Sequence, residues 1–168
     1  MIRKLPHSII LSLLFGLLAS CNNSDCTLSN VVRSFYVFVN SGTGTTATIG
    51  DTLTVTALPA DTVLLNRSTK FSKLSLPMGY VQNVDSFRFK FKTKAGVVID
   101  TVCIEHTNTP HFESLDCGVS IFHVVKRVTV SKRKPTKDFP TAIDSIVIIN
   151  PKVTYEANDH FKVFISTL

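Results

Sequence analysis

The chain has no tryptophan, only four cysteines and seven each of glycine and proline among 168 residues, and 18% of it is charged. Four cysteines are too few to staple a disulfide miniprotein. So little glycine, proline and charge argues against wholesale disorder, a collagen repeat or a coiled coil. Beyond the first twenty residues no apolar run approaches the roughly 20 residues that cross a membrane as a helix. No segment there carries an i, i+3, i+4 apolar stripe. The sequence also lacks a glycine-rich phosphate loop, a Gly-x-Ser-x-Gly elbow and a His-Glu-x-x-His zinc helix. The length fits one domain, for which a single core takes roughly 100–200 residues.

What is present begins with an address. Arg3 and Lys4 precede an apolar stretch from Ile9 to Leu18, interrupted by Ser12 and Gly16, and small residues follow. A charged start, a short apolar run and small residues before a cut form a secretory signal peptide. The tetrad Leu18-Ala19-Ser20-Cys21 resembles the bacterial lipobox, in which the cysteine thiol takes a diacylglycerol and becomes the new N-terminus. The expected organisation is a lipoprotein signal peptide over 1–20, a lipidated tether over 21–30 and a single domain over 31–168. Each buried acyl CH₂ contributes about 0.8 kcal/mol, so two or three chains on Cys21 anchor the protein without spanning the bilayer. Asn22 after the cysteine resembles outer-membrane sorting, and the single acid Asp25 in the tether leaves the leaflet open. Removing residues 1–20 takes two of the 18 basic residues and none of the 12 acidic ones, leaving 16 − 12 = +4. That mild excess suits an anionic membrane surface and is too diffuse for nucleic acid.

From residue 31 onward the period is two. Val31 to Val39 sets Phe35, Val37 and Val39 against Tyr36 and Phe38. Leu53, Val55 and Ala57 alternate with Thr52, Thr54 and Thr56, and Phe87, Phe89 and Phe91 alternate with Ser86, Arg88, Lys90 and Lys92. Further strands are expected at Val97–Ile104, Val119–Val130, Ile143–Ile149 and Phe161–Ile165, with shorter ones at Val63–Leu65 and Phe71–Leu76. Gly96 can supply a positive φ for a hairpin before Val97. The breaks fall at Ser41–Gly50, Pro77-Met78-Gly79, Thr107–Asp116 and Ser131–Pro140. Short strands rich in Thr, Val, Ile and Phe predict an all-β fold, an antiparallel β-sandwich, Ig-like or related, of about 7–9 strands.

With Cys21 lipidated, Cys26, Cys103 and Cys117 remain, and the sequence alone allows three pairings. Several motifs in order point to a family. They are Asp25-Cys26, Phe35–Val39, Leu74-Ser75-Leu76-Pro77, Asp100-Thr101-Val102, Cys117-Gly118, Ile146–Asn150, Glu156 and His160–Phe164. Together they resemble a family of small Bacteroidota outer-membrane lipoproteins of unknown function. The resemblance implies a disulfide between Cys26 and Cys117, leaving Cys103 free, and brings no activity with it. Four tripeptides, Asp51-Thr52-Leu53, Asp61-Thr62-Val63, Asp100-Thr101-Val102 and Asp144-Ser145-Ile146, resemble the O-glycosylation acceptor pattern of Bacteroidota envelope proteins. Thr52, Thr62, Thr101 and Ser145 are the candidate acceptors, and surface loops are where modification is expected.

Two surfaces and one cluster complete the candidates. Arg88, Lys90, Lys92 and Lys94 line one strand face, where lysines also guard an edge against aggregation. Lys126, Arg127, Lys132, Arg133, Lys134 and Lys137 form a basic cluster suited to an anionic lipid or glycan. Cys103, Glu105, His106, His111 and Glu113 are the one grouping with metal-ligand or catalytic side chains, though at no recognised spacing. The sequence therefore predicts an outer-membrane lipoprotein, non-enzymatic, without metal or cofactor, that binds or scaffolds an envelope protein, glycan or anionic lipid. The alternative is a metal-dependent protein or enzyme built on the Cys103–Glu113 grouping.

Overall fold

The structure, a computed structural model, describes residues 31–93, 96–114, 117–131 and 143–166. Every regular element among them is a strand. They are β1 (Arg33–Asn40), β2 (Thr52–Leu58), β3 (Thr62–Ser68), β4 (Lys73–Pro77) and β5 (Val84–Lys92), followed by β6 (Val97–His111), β7 (Ser120–Val130), β8 (Ile143–Ile148), β9 (Lys152–Val153) and β10 (Phe161–Ile165). One sheet has the order β4-β1-β10-β8 and the other β3-β2-β5-β6-β7-β9. The two face each other as a sandwich, as expected. Among the described residues no helix is long and apolar enough to cross a membrane.

The alternation read from the sequence decides which faces meet. Phe87, Phe89 and Phe91 of β5 are buried, as are Leu53 and Val55 of β2 and Val98, Val102 and Ile104 of β6. From the four-stranded sheet come Tyr36, Phe38, Phe161 and Val163, also buried. Thus Tyr36 and Phe38 form the inner row of β1. The Tyr36 ring stacks on Phe161 at 4.8 Å and meets Phe89 edge-on at 6.4 Å, which ties the two layers together. Burial pushes the Tyr36 hydroxyl far above its ordinary titration range, and its partner is Ser34.

Three features depart from the sequence expectation. First, the described residues hold ten strands, because the two-residue β9 is too short to show a period. Second, the sandwich is not wholly antiparallel: β1 and β10, the first and last strands, pair in parallel from Tyr36↔Phe161 to Asn40↔Ile165. Parallel neighbours need a long crossover, and here the rest of the domain supplies it. Third, the expected break from Thr107 to Asp116 is strand as far as His111, so β6 has 15 residues. Threonine and a β7 partner keep it paired, with a register shift between Glu105 and His106. Gly96 does take a positive φ, +145°, at the β5–β6 turn.

Strand direction defines two ends. At one, β1, β5, β7 and β10 begin and β4, β6 and β8 finish; the registers Arg33↔Pro77, Phe161↔Ile148 and His111↔Ser120 fix this. The chain enters the sandwich at that end, from residue 31. The other end carries the Ser41–Gly50 loop and the β5–β6 turn.

Candidate functional site

β6 and β7 run on past the end of β5, and several of the side chains buried there are polar. His106 and His123 are each 1% exposed, and Asp85, the first inward residue of β5, is 5% exposed. Asn108 lies between them. Its amide nitrogen donates to the carbonyls of Tyr80 at 3.0 Å and Gln82 at 2.9 Å, with a weaker contact to Gly79 at 3.4 Å. Its carbonyl oxygen is 2.8 Å from Nδ1 of both His106 and His123. Three carbonyls around the nitrogen fix the orientation of the amide, so both histidines must donate from Nδ1.

The tautomers follow. His106 Nε2 lies 3.1 Å from Asp85 Oδ2, which also accepts the Gly79 N–H at 2.9 Å. With Nδ1–H donated to Asn108, the other ring nitrogen of His106, Nε2, faces the Asp85 carboxylate. Burial raises the Asp85 carboxyl, but the hydrogen bonds from His106 and Gly79 and the His106 charge outweigh it, holding the group below its ordinary 3.8. His123 is the opposite case. Its ring meets His106 edge-on at 5.0 Å. Its Nε2 has no hydrogen-bond partner among the described residues. Burial, and then the nearby His106, push its pKa down to about 4, with Asp85 acting the other way. Gly79 is required at its position, since a Cβ there would stand 2.7 Å from Asp85 Oδ1.

A third buried histidine is also committed to structure. His160 accepts the Phe35 N–H on Nδ1 at 3.0 Å and donates from Nε2 to the Lys152 carbonyl at 3.1 Å, tying β9 to the four-stranded sheet. Burial lowers its pKa. An imidazole–carboxylate pair is the base half of many hydrolytic sites. Here the ring nitrogen that would meet a nucleophile is given to Asn108, and the pair is sealed from solvent.

The Cys103–Glu113 grouping is not brought together. Alternation along β6 sends Cys103 and Glu105 to the outer face and His106 to the inner one. Cys103 is a free thiol, 3.4 Å from the Ser86 hydroxyl, and Glu105 pairs with Arg127. His111 stacks on Phe122 at 4.2 Å, and Glu113 is exposed beyond the strand. Among the described residues no three His, Cys, Asp or Glu side chains are arranged to hold a metal ion. Of the basic cluster, Lys126 and Arg127 are exposed on β7, while Lys132, Arg133, Lys134 and Lys137 lie outside the described residues. Lys90 and Lys92 are exposed, Arg88 pairs with Asp61, and Lys94 lies outside the described residues. Thr62 and Ser145 are exposed, whereas Thr52 and Thr101 are half-buried. Thr101 sits in the middle of β6 rather than in a loop, and its neighbour Asp100 is fully buried, accepting the Ile143 N–H. Cys117 is disulfide-bonded; Cys21 and Cys26 lie outside the described residues.

Sequence reasoning reached His106 but grouped it with the wrong partners and missed Asp85, Asn108 and His123. The signal was a charged or polar residue at inward parity: Asp85 shares the face of Phe87, Phe89 and Phe91. At the far end of the sandwich a cleft of about 310 Å³ is lined by Asn40, Thr45, Thr46, Thr48, Asp51 and Ser166 over Ala47, Ile49 and Ile165. Hydroxyl, amide and carboxylate groups line this concavity together, as ligand sites often require.

The buried histidines set a pH dependence. An unfolded chain protonates His123 near 6.5, whereas the folded chain resists until about 4. Its contribution is complete above 6.5 and is lost as pH falls toward 4, a window worth about 3 kcal/mol. Asp85, held low in the folded state, loses its own contribution at still lower pH, in the same direction. Urea unfolding at stepped pH is therefore expected to show stability climbing from pH 4 to 6.5. His123→Leu should flatten most of that climb; a wild-type profile already flat would contradict the assignment.

No curated protein and no solved structure matches the chain. One family does, over residues 52–165, from the first residue of β2 to the last of β10. The chain belongs to DUF6452, a family of unknown function.

Proposed function

We propose that the protein is a lipid-anchored outer-membrane lipoprotein of the Bacteroidota type that binds or scaffolds another envelope component and catalyses no reaction. The observation that carries this reading is polarity along the long axis. The tether that begins at the lipobox cysteine, Cys21, leads into β1 at one end, and the hydroxyl-lined cleft opens at the other. Such a layout presents the cleft away from the anchor, toward a protein, a glycan or an anionic headgroup. The imidazole and carboxylate groups buried near the tether end support the same reading, because each is spent on the fold.

Lipidation at Cys21 is tested by Cys21→Ser. Wild type is expected to take up labelled palmitate and to fractionate with membranes, and the variant to do neither. A variant that stays in the membrane beside an unlabelled wild type would overturn the proposal.

The bridge is assigned to Cys26 and Cys117. The resemblance points to that pair, Cys103 is a free thiol, and Cys117 is disulfide-bonded. Closing a loop of about 90 residues restricts the unfolded chain by roughly 4–5 kcal/mol. A non-reducing peptide map should recover Cys26 joined to Cys117, and recovery of Cys103 in a bridge would contradict the assignment.

A further inference from the structure

The exposed apolar side chains are not scattered evenly. Eleven large ones are exposed among the described residues, and six of them, Val31, Tyr80, Val81, Phe112, Val119 and Ile149, sit at the end where the chain enters the sandwich. The strand directions place them there: Val31 and Val119 precede β1 and β7, Phe112 and Ile149 follow β6 and β8, and Tyr80 and Val81 lie in the β4–β5 connection. Val81 is 96% exposed and Phe112 68%. At the opposite end Val97, before which the β5–β6 turn lies, is the one comparable side chain. The Tyr80–Gln82 segment is not loose, since the Asn108 amide holds two of its carbonyls and the Asn83 carbonyl accepts the His106 N–H at 2.9 Å. Exposure of Val81 is thus built into the fold.

We propose that this apolar end rests on the lipid surface to which the chain is anchored, with Val81 and Phe112 reaching into the interface. The inference rests on the lipid-anchor reading and adds an orientation to it. Nine residues lie between Cys21 and Val31, a reach of at most about 35 Å when fully extended. A Cys26–Cys117 bridge would leave four residues between Cys21 and the bridge, about 17 Å. Cys117 itself lies between Phe112 and Val119, so the bridge would fasten the anchor to the apolar end. A tether this short gives the end an effective concentration at the membrane of about millimolar. Contacts too weak to hold a free protein are then populated. The exposed charges nearby are of both signs, Glu113 and Lys152, so the attraction is apolar and insensitive to salt.

The absence of tryptophan supplies the test. Full-length, acylated Val81→Trp, Phe112→Trp and Val97→Trp are reconstituted into phosphatidylethanolamine/phosphatidylglycerol vesicles carrying brominated acyl chains. All three positions are exposed, and far-UV circular dichroism checks the fold. Val81→Trp and Phe112→Trp are expected to blue-shift and to lose emission to the brominated lipid, at low and high salt alike, while Val97→Trp keeps its emission. Acylated, vesicle-bound protein whose Val81→Trp and Phe112→Trp emission is unquenched, or in which Val97→Trp is quenched as strongly, overturns the orientation and leaves the anchor standing. Protein that carries no acyl group by mass spectrometry overturns the anchor itself.

Discussion

The carboxamide of Asn108 is the point on which one whole end of this sandwich depends. β6 continues to His111, past the start of β5, and the side chains buried there include His106 on β6 and His123 on β7. Asn108 binds both to the connection that crosses from β4 to β5. One amide thereby joins the six-stranded sheet to the crossing segment: its nitrogen donates to backbone carbonyls of that segment, and its oxygen accepts from the two histidines. Because an amide's donor and acceptor ends are distinct, the choice of partners sets which nitrogen of each ring donates to it.

A buried histidine–aspartate pair is a poor source of net stability, since desolvation offsets most of the attraction. Its value here is positional. Asp85 holds the Gly79 N–H, His106 holds the Asn83 carbonyl through its own backbone, and together they keep the Gly79–Asn83 segment folded back with Val81 outward. The same groups that look catalytic by type therefore shape a surface. That surface is apolar, lies at the end where residue 31 enters the sandwich, and is remote from the hydroxyl-lined cleft.

How much of this was legible follows from which residues carried a period. Phe87, Phe89 and Phe91 announced β5, and Phe161 to Ile165 was read to its exact bounds, because local alternation encodes a half-buried strand. The parallel pairing of β1 with β10 was not legible, since register between residues over a hundred positions apart leaves no local mark. The long tail of β6 was missed because Thr107, Thr109 and Pro110 read as a break, while β7 supplies pairing that the sequence does not display. Asp85 and His123 were hidden for a simpler reason: a polar residue within an apolar alternation looks like an interruption until its partner is known. The cleft at the far end is built by a loop and two strand ends, and no motif foretells it.

The account turns on the protons that Asn108 imposes, and nitrogen-15 NMR of the histidine side chains reads them directly. At neutral pH the account predicts a proton on Nδ1 of both rings, with His123 neutral and so in the less common tautomer. A His106 without a proton on Nδ1, or a His123 carrying its proton on Nε2, would contradict it.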